Sequence, residues 1–99
     1  IIATNISREL DVHLENKPCE IYGSDMRVRV TPTRYTYPDL TVVCETPFFE
    51  DSVLDTLLNP LLMIEILSPS TEAYDRGDKF SFYRRIESLQ EFVFVSQDK

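Results

Sequence analysis

A chain of 99 residues makes one small domain with a thin core, and its 42% apolar content is that of an ordinary globular protein. A net charge of −7 and a pI near 4.5 argue against a protein that coats nucleic acid with a basic face, while suiting a site that gathers carboxylates around a cation. No apolar run reaches the length of a membrane span, and six prolines against two glycines leave no flexible linker.

The chain opens on Ile1-Ile2, already in a helical pattern, and stops at Lys99 just after a strand-like run. The expectation is a piece of a longer domain with one edge of the fold missing. Cys19 and Cys44 sit in strand-like segments with no CxxC spacing and no neighbouring His. They read as two reduced, half-buried thiols, which with the absence of a visible signal peptide points to the cytoplasm.

Apolar residues at Ile2, Ile6, Leu10 and Leu14 predict an amphipathic helix, ended by Lys17-Pro18 because the residue before proline is pushed out of the helical region. His13, on the polar side of that helix, is the single histidine, so a His-based metal site is excluded. Residues 19–22 lean towards strand, Gly23-Ser24-Asp25 is turn chemistry, and Met26 to Val30 alternates strictly with Arg27 and Arg29 on one face. These two runs predict a hairpin, and Thr31-Pro32-Thr33-Arg34 breaks the pattern. Tyr37 to Cys44 predicts the next strand, with Asp39 on the face of Tyr37 and Thr41. The acid-rich stretch 45–59 reads as a long excursion holding at most one helical turn.

Leu61 to Leu67 is a near-continuous apolar run interrupted by one carboxylate, Glu65. A glutamate in the middle of a buried strand costs several kcal/mol unless a cation or metal ion pairs with it. Ser68-Pro69-Ser70-Thr71 ends the strand and caps a helix predicted over 71–86, on which Asp75, Lys79, Tyr83 and Ile86 stack along the inner side. Glu91 to Ser96 is a further buried strand, so strand, helix and strand make a βαβ unit with parallel strands and a right-handed crossover. The predicted order is α-β-β-β-α-β: an α/β fold, with a mixed sheet packed with helices.

Asp39, Glu65 and Lys79 then converge. Two carboxylates and the carbonyl of Ile66 suit Mg²⁺ or Mn²⁺, and a lysine stabilises an anion beside the ion or orients a water. A structural alternative stands beside this. Glu65 and Lys79 also read as a buried ion pair, with Asp75 capping it and Asp39 merely ending a turn. The arginines, grouped as Arg27, Arg29 and Arg34 and then Arg76, Arg84 and Arg85, read as solvated surface charge.

Pro38-Asp39 followed by Glu65-Ile66-Leu67 resembles the PD-(D/E)XK motif of restriction-endonuclease-like nucleases, with Leu67 where that motif has its lysine. The longer string, Tyr37-Pro38-Asp39-Leu40, then Glu65-Ile66-Leu67-Ser68-Pro69-Ser70-Thr71, then Asp75, Lys79 and Tyr83, is similar to the Uma-type family of that superfamily. The resemblance runs over essentially the whole chain. It implies a restriction-endonuclease-like PD-(D/E)XK core, a single truncated domain over residues 1–99, with Asp39, Glu65 and Ile66 at a divalent-metal site. It further implies Lys79 as a catalytic lysine migrated to the following helix, metal-dependent endonuclease hydrolysis of DNA, no membrane, and a homodimer for two strands. Glu9 is the stand-in for a third acid from the first helix. The rival outcome is a catalytically silent binding domain that keeps the nuclease-like fold.

Overall fold

The computed structural model describes residues 2–51, 55–67 and 81–96. Helix α1 (Ile2–His13) keeps Ile6 and Leu10 half-buried while Thr4, Arg8, Asp11 and Val12 are exposed, and it closes with the Leu14 amide donating to the Leu10 carbonyl at 2.9 Å. Seven strands follow: β1 (Glu20–Tyr22), β2 (Arg27–Thr31), β3 (Arg34–Thr36), β4 (Leu40–Val43), β5 (Thr56–Leu57), β6 (Leu62–Leu67) and β7 (Glu91–Ser96). They form a four-stranded sheet in the order β1-β4-β6-β7 and a three-stranded sheet in the order β3-β2-β5. Val28, Val30 and Leu57 of the smaller sheet meet Val43 and Met63 of the larger one, with Tyr83 and Ile86 completing the core.

The mixed α/β architecture and the parallel pairing of the last two strands match the sequence reading. β6 and β7 pair in register from Leu62 opposite Glu91 to Leu67 opposite Ser96. Most of the helix expected between them, residues 71–80, lies outside the described residues, as does the Ser68-Pro69-Ser70-Thr71 string; residues 81–83 are helical. Among the described residues no helix is long and apolar enough to cross a membrane.

Four expectations are corrected. β1 and β2 are not a hairpin: β1 pairs antiparallel with β4, placing Ile21 opposite Val42, while β2 joins the other sheet. A three-residue strand has too short a pattern to choose its partner, so packing against the buried strand decides it. Thr31-Pro32-Thr33-Arg34 does not end the pairing but turns β2 into β3, with Pro32-Thr33 at the turn and a register shift between Arg29 and Thr31. The 45–59 connection contains β5, whose buried Thr56 and Leu57 pair parallel with Arg27 and Val28, and Phe49 bridges to Leu57. Two residues show no periodicity, so nothing local marks β5 as a strand. The expected order α-β-β-β-α-β holds four strands, so it is short of three of the seven.

The fourth correction concerns the cysteines. The β1–β4 register puts Glu20 opposite Val43, and one step further brings Cys19 opposite Cys44. Their sulfurs are joined in a disulfide, so neither is a free thiol. The bond closes a loop between residues 25 apart in sequence. In the chain-entropy account such a loop contributes about 3 kcal/mol. Reduction, or Cys19→Ser with Cys44→Ser, is expected to lower unfolding stability by about that much. Urea melts with and without a phosphine reductant measure it; coincident curves contradict the prediction.

Tyr22, at the end of β1, has its hydroxyl pKa pushed up from 10.0 to about 12 by partial burial and by the hydrogen bond it donates to Glu20 Oε1 at 2.5 Å. The folded value exceeds the unfolded one, so this contribution is fully present below pH 10 and is lost as pH rises through about 12. Wild type and Tyr22→Phe are expected to have parallel melting temperatures up to about pH 10 and to converge above it. A constant difference across that window in thermal melts would show no linkage.

Candidate functional site: a paired carboxylate edge

The position of the acids follows from strand register. β4 and β6 run antiparallel with Val42 opposite Leu62, Thr41 opposite Met63 and Leu40 opposite Ile64. Carried one step beyond the last pair, that register sets Asp39 opposite Glu65. Directly opposed residues project to the same face of a sheet, so Glu65 shares its face with Thr41, Val43 and Met63, and Asp39 stands one step beyond the last pair. Val43 and Met63 belong to the core between the sheets. The strand itself is shorter than expected: Tyr37 is 58% exposed and pairing begins at Leu40, which leaves Asp39 just before the strand. Its Oδ2 accepts the backbone N–H of Ile66 at 2.7 Å, giving that amide a side-chain acceptor just beyond the last ladder pair. Asp39 is thereby fastened to the Glu65–Ile66 peptide.

Glu65 is only 6% exposed, and its Oε2 accepts a hydrogen bond from the hydroxyl of Tyr83, itself 2% exposed. With that proton directed at the carboxylate, the Tyr83 oxygen accepts from Thr36 Oγ1 at 3.0 Å. Thr36 ends β3, so the chain Thr36–Tyr83–Glu65 crosses from one sheet to the other. The Tyr83 ring is held edge-on to Phe92 of β7, at 5.7 Å between centroids. Sequence reasoning put Tyr83 on the inner side of its helix but gave it no part in the site. The available signal was its place on the stripe of Asp75 and Lys79, pointing back at the strand that carries Glu65.

Thr41, two residues from Asp39, is fully buried, and its hydroxyl oxygen has no hydrogen-bond partner. A cleft of about 450 Å³ opens on Asp39 and Leu40 from the side of α1. Its other wall is Thr4, Ser7, Arg8 and Asp11, the i, i+3, i+4, i+7 stripe of the helix, with Gly23 and Ser24 at the rim. This stripe is polar, with Thr4, Arg8 and Asp11 exposed and Ser7 half-buried, and it lies beside the apolar one that predicts the helix. Glu9, the suggested third acid, points elsewhere: its Oε1 lies 4.0 Å from His13 Nε2 on the solvent side of α1. Lys79 and Asp75 lie outside the described residues.

Among the described residues no group of three or more His, Cys, Asp or Glu side chains is arranged to hold a metal ion. By the chemistry of their oxygens alone, two carboxylates and a backbone carbonyl are the donor types that a small hard cation takes. Mg²⁺ takes one or two protein carboxylates and keeps several waters.

Removing the Tyr83 hydroxyl isolates the bond to Glu65. Tyr83→Phe keeps the ring against Phe92 and leaves the buried carboxylate without that donor, an expected loss of about 2 kcal/mol. Denaturant unfolding of the variant measures it, and the loss should largely vanish in a Glu65→Leu background. Equal losses in both backgrounds would mean that the hydroxyl serves Thr36 instead.

The chain matches, over residues 1–99, the family model described as "Uma2: Putative restriction endonuclease". Two curated relatives from Synechocystis sp. are each 39% identical to it. Uncharacterized protein sll1609 aligns over 94% of this chain and 53% of its own length, and Uncharacterized protein slr1290 over 97% and 50%. The chain thus spans about half the length of these relatives. No solved structure matches it at a significant level.

Proposed function

The chain belongs to the Uma2 family, and from that premise we propose that it carries the metal-binding edge of a nuclease that hydrolyses DNA phosphodiesters. The observation that supports this most is the register that sets Asp39 opposite Glu65, with Asp39 bonded to the next peptide, Ile66. Asp39, Glu65 and the Ile66 carbonyl would hold Mg²⁺ or Mn²⁺. In a strand the N–H and C=O of one residue share an edge, and the Ile66 N–H already faces Asp39. When bound, the ion supplies charge to polarise the phosphodiester and to lower the pKa of an attacking water.

The chain's own residues do the rest. Tyr83 and the Ile66 amide hold the two carboxylates in place, so little rearrangement is required when the ion arrives. Arg8, on the wall of the cleft that opens on Asp39, brings positive charge to an otherwise acidic chain at the place where a phosphate would enter. Lys79 is proposed as the remaining electrostatic group, standing over the scissile phosphate. A second copy of the protein would serve the second strand.

One observation favours the silent alternative. Glu65 is buried and accepts the Tyr83 hydroxyl, which is what a structural carboxylate requires. On that reading the acid pair stabilises a binding module.

Plasmid nicking by the full-length protein with Mg²⁺ or Mn²⁺ separates the two. Asp39→Asn, Glu65→Gln and Lys79→Met are each expected to reduce nicking by on the order of 10²–10³ with melting temperatures near wild type. Lys79→Met keeps the apolar stem and removes the charge. If it instead loses about 3–5 kcal/mol of stability, and wild type never nicks, the carboxylates are structural and the binding module stands.

A further inference from the structure

Apart from Arg8 and Lys17, the cations among the described residues are Arg27, Arg29, Arg34, Arg84 and Arg85, all on β2, on β3 or just after Tyr83. Two of them are already engaged. Arg27 donates from Nε to Thr56 Oγ1 at 2.8 Å, and Arg29 lies 3.7 Å from Glu50. Arg34 and Arg85 differ. Both are exposed, both stand over the ring of Phe82, at 4.0 and 6.0 Å from its centroid, and among the described residues neither forms an ion pair. Two like charges beside one ring repel each other, and an exposed cation–π contact is worth only about 0.5–1 kcal/mol. The arrangement therefore holds two exposed guanidinium groups at a place where an anion would relieve the repulsion.

Where this pair is rooted decides what the anion is. Phe82 precedes Tyr83, which holds Glu65, and Arg34 lies two residues before Thr36, which hydrogen-bonds Tyr83. The same two segments that tie the acid pair to the smaller sheet thus carry the cations. A net charge of −7 repels a polyanion at long range, so any duplex must be held by local contacts. Guanidinium groups supply such contacts by bidentate hydrogen bonding to phosphate oxygens. We propose that Arg34 and Arg85, braced on Phe82, form a phosphate-contacting surface that holds the backbone of double-stranded DNA alongside the acid pair. This rests on the nuclease reading and adds the face on which its substrate lies.

The test is fluorescence anisotropy of a short labelled duplex with full-length protein in Ca²⁺, titrated at several salt concentrations, beside the plasmid-nicking assay in Mg²⁺. Arg34→Gln with Arg85→Gln is expected to weaken binding by on the order of tenfold or more at low salt and to reduce the slope of log affinity against log salt by about 2. Arg34→Lys with Arg85→Lys keeps both charges and should retain most of that slope, which guards against a glutamine pair that merely unfolds. Unchanged binding by the glutamine pair, while wild type nicks DNA, overturns the surface and leaves the nuclease reading intact. Equal losses from the lysine and glutamine pairs, with lowered melting temperatures in both, overturn it as well, since the arginines would then be packing groups. Arginine-dependent binding without nicking supports the surface and overturns the nuclease reading. Absence of any binding by wild type overturns both.

Discussion

Burial of Glu65 is the constraint around which this domain is arranged. A carboxylate in the middle of an otherwise apolar strand is tolerable only with strong donors aimed at it, and one of them is the Tyr83 hydroxyl. Tyr83 meets that need from a segment that follows β6 in sequence and packs between the sheets. Because its oxygen also accepts from Thr36, a local requirement of β6 becomes a link between the larger sheet and the smaller one. The core residues around it, Val28, Val43 and Met63, would bring the sheets together as non-directional apolar surface. The hydrogen-bonded chain adds direction: it holds β3 and the turn after Tyr83 in one place relative to Glu65.

Asp39 depends on the same strand for a different reason. Its partner is a backbone amide, so its position is set by the β4–β6 register rather than by another side chain. The two acids are therefore held by independent means, one by a side-chain hydroxyl and one by a peptide, and neither hydrogen bond requires an ion. That independence suits a preorganised metal site and a structural network equally, which is why both readings draw on the same geometry.

Charge is partitioned in the same spirit. The overall acidity of the chain would make it a poor partner for a polyanion if its cations were evenly spread. Among the described residues five of them are gathered instead on β2, β3 and the turn after Tyr83, three against an aromatic ring. On the larger sheet, the disulfide between β1 and β4 fastens the edge strand on the sheet face opposite Glu65, since Cys44 alternates with Thr41.

Strong periodicity and single misplaced residues were legible from the sequence. The buried run around Glu65 and the helix at the start follow from patterns local to one segment, the parallel partnership of residues 62–67 with 91–96 follows from the expected strand-helix-strand unit, and tertiary packing had only to accept them. The Pro-Asp and Glu-x-Leu-Ser-Pro-Ser-Thr strings carried the family. What the sequence could not determine was which short segments find each other. β1, β3 and β5 are two or three residues long, too short for a period, and their partners were selected by the buried strands and the core beside them. The same choice decided the cysteines: their chemistry depended on the pairing of β1 with β4, an event between segments 25 residues apart that no local spacing announces. Tyr83 likewise became the partner of Glu65 only in three dimensions, because a hydroxyl's hydrogen bond is decided by where a folded backbone delivers it, and sequence records only that the hydroxyl exists.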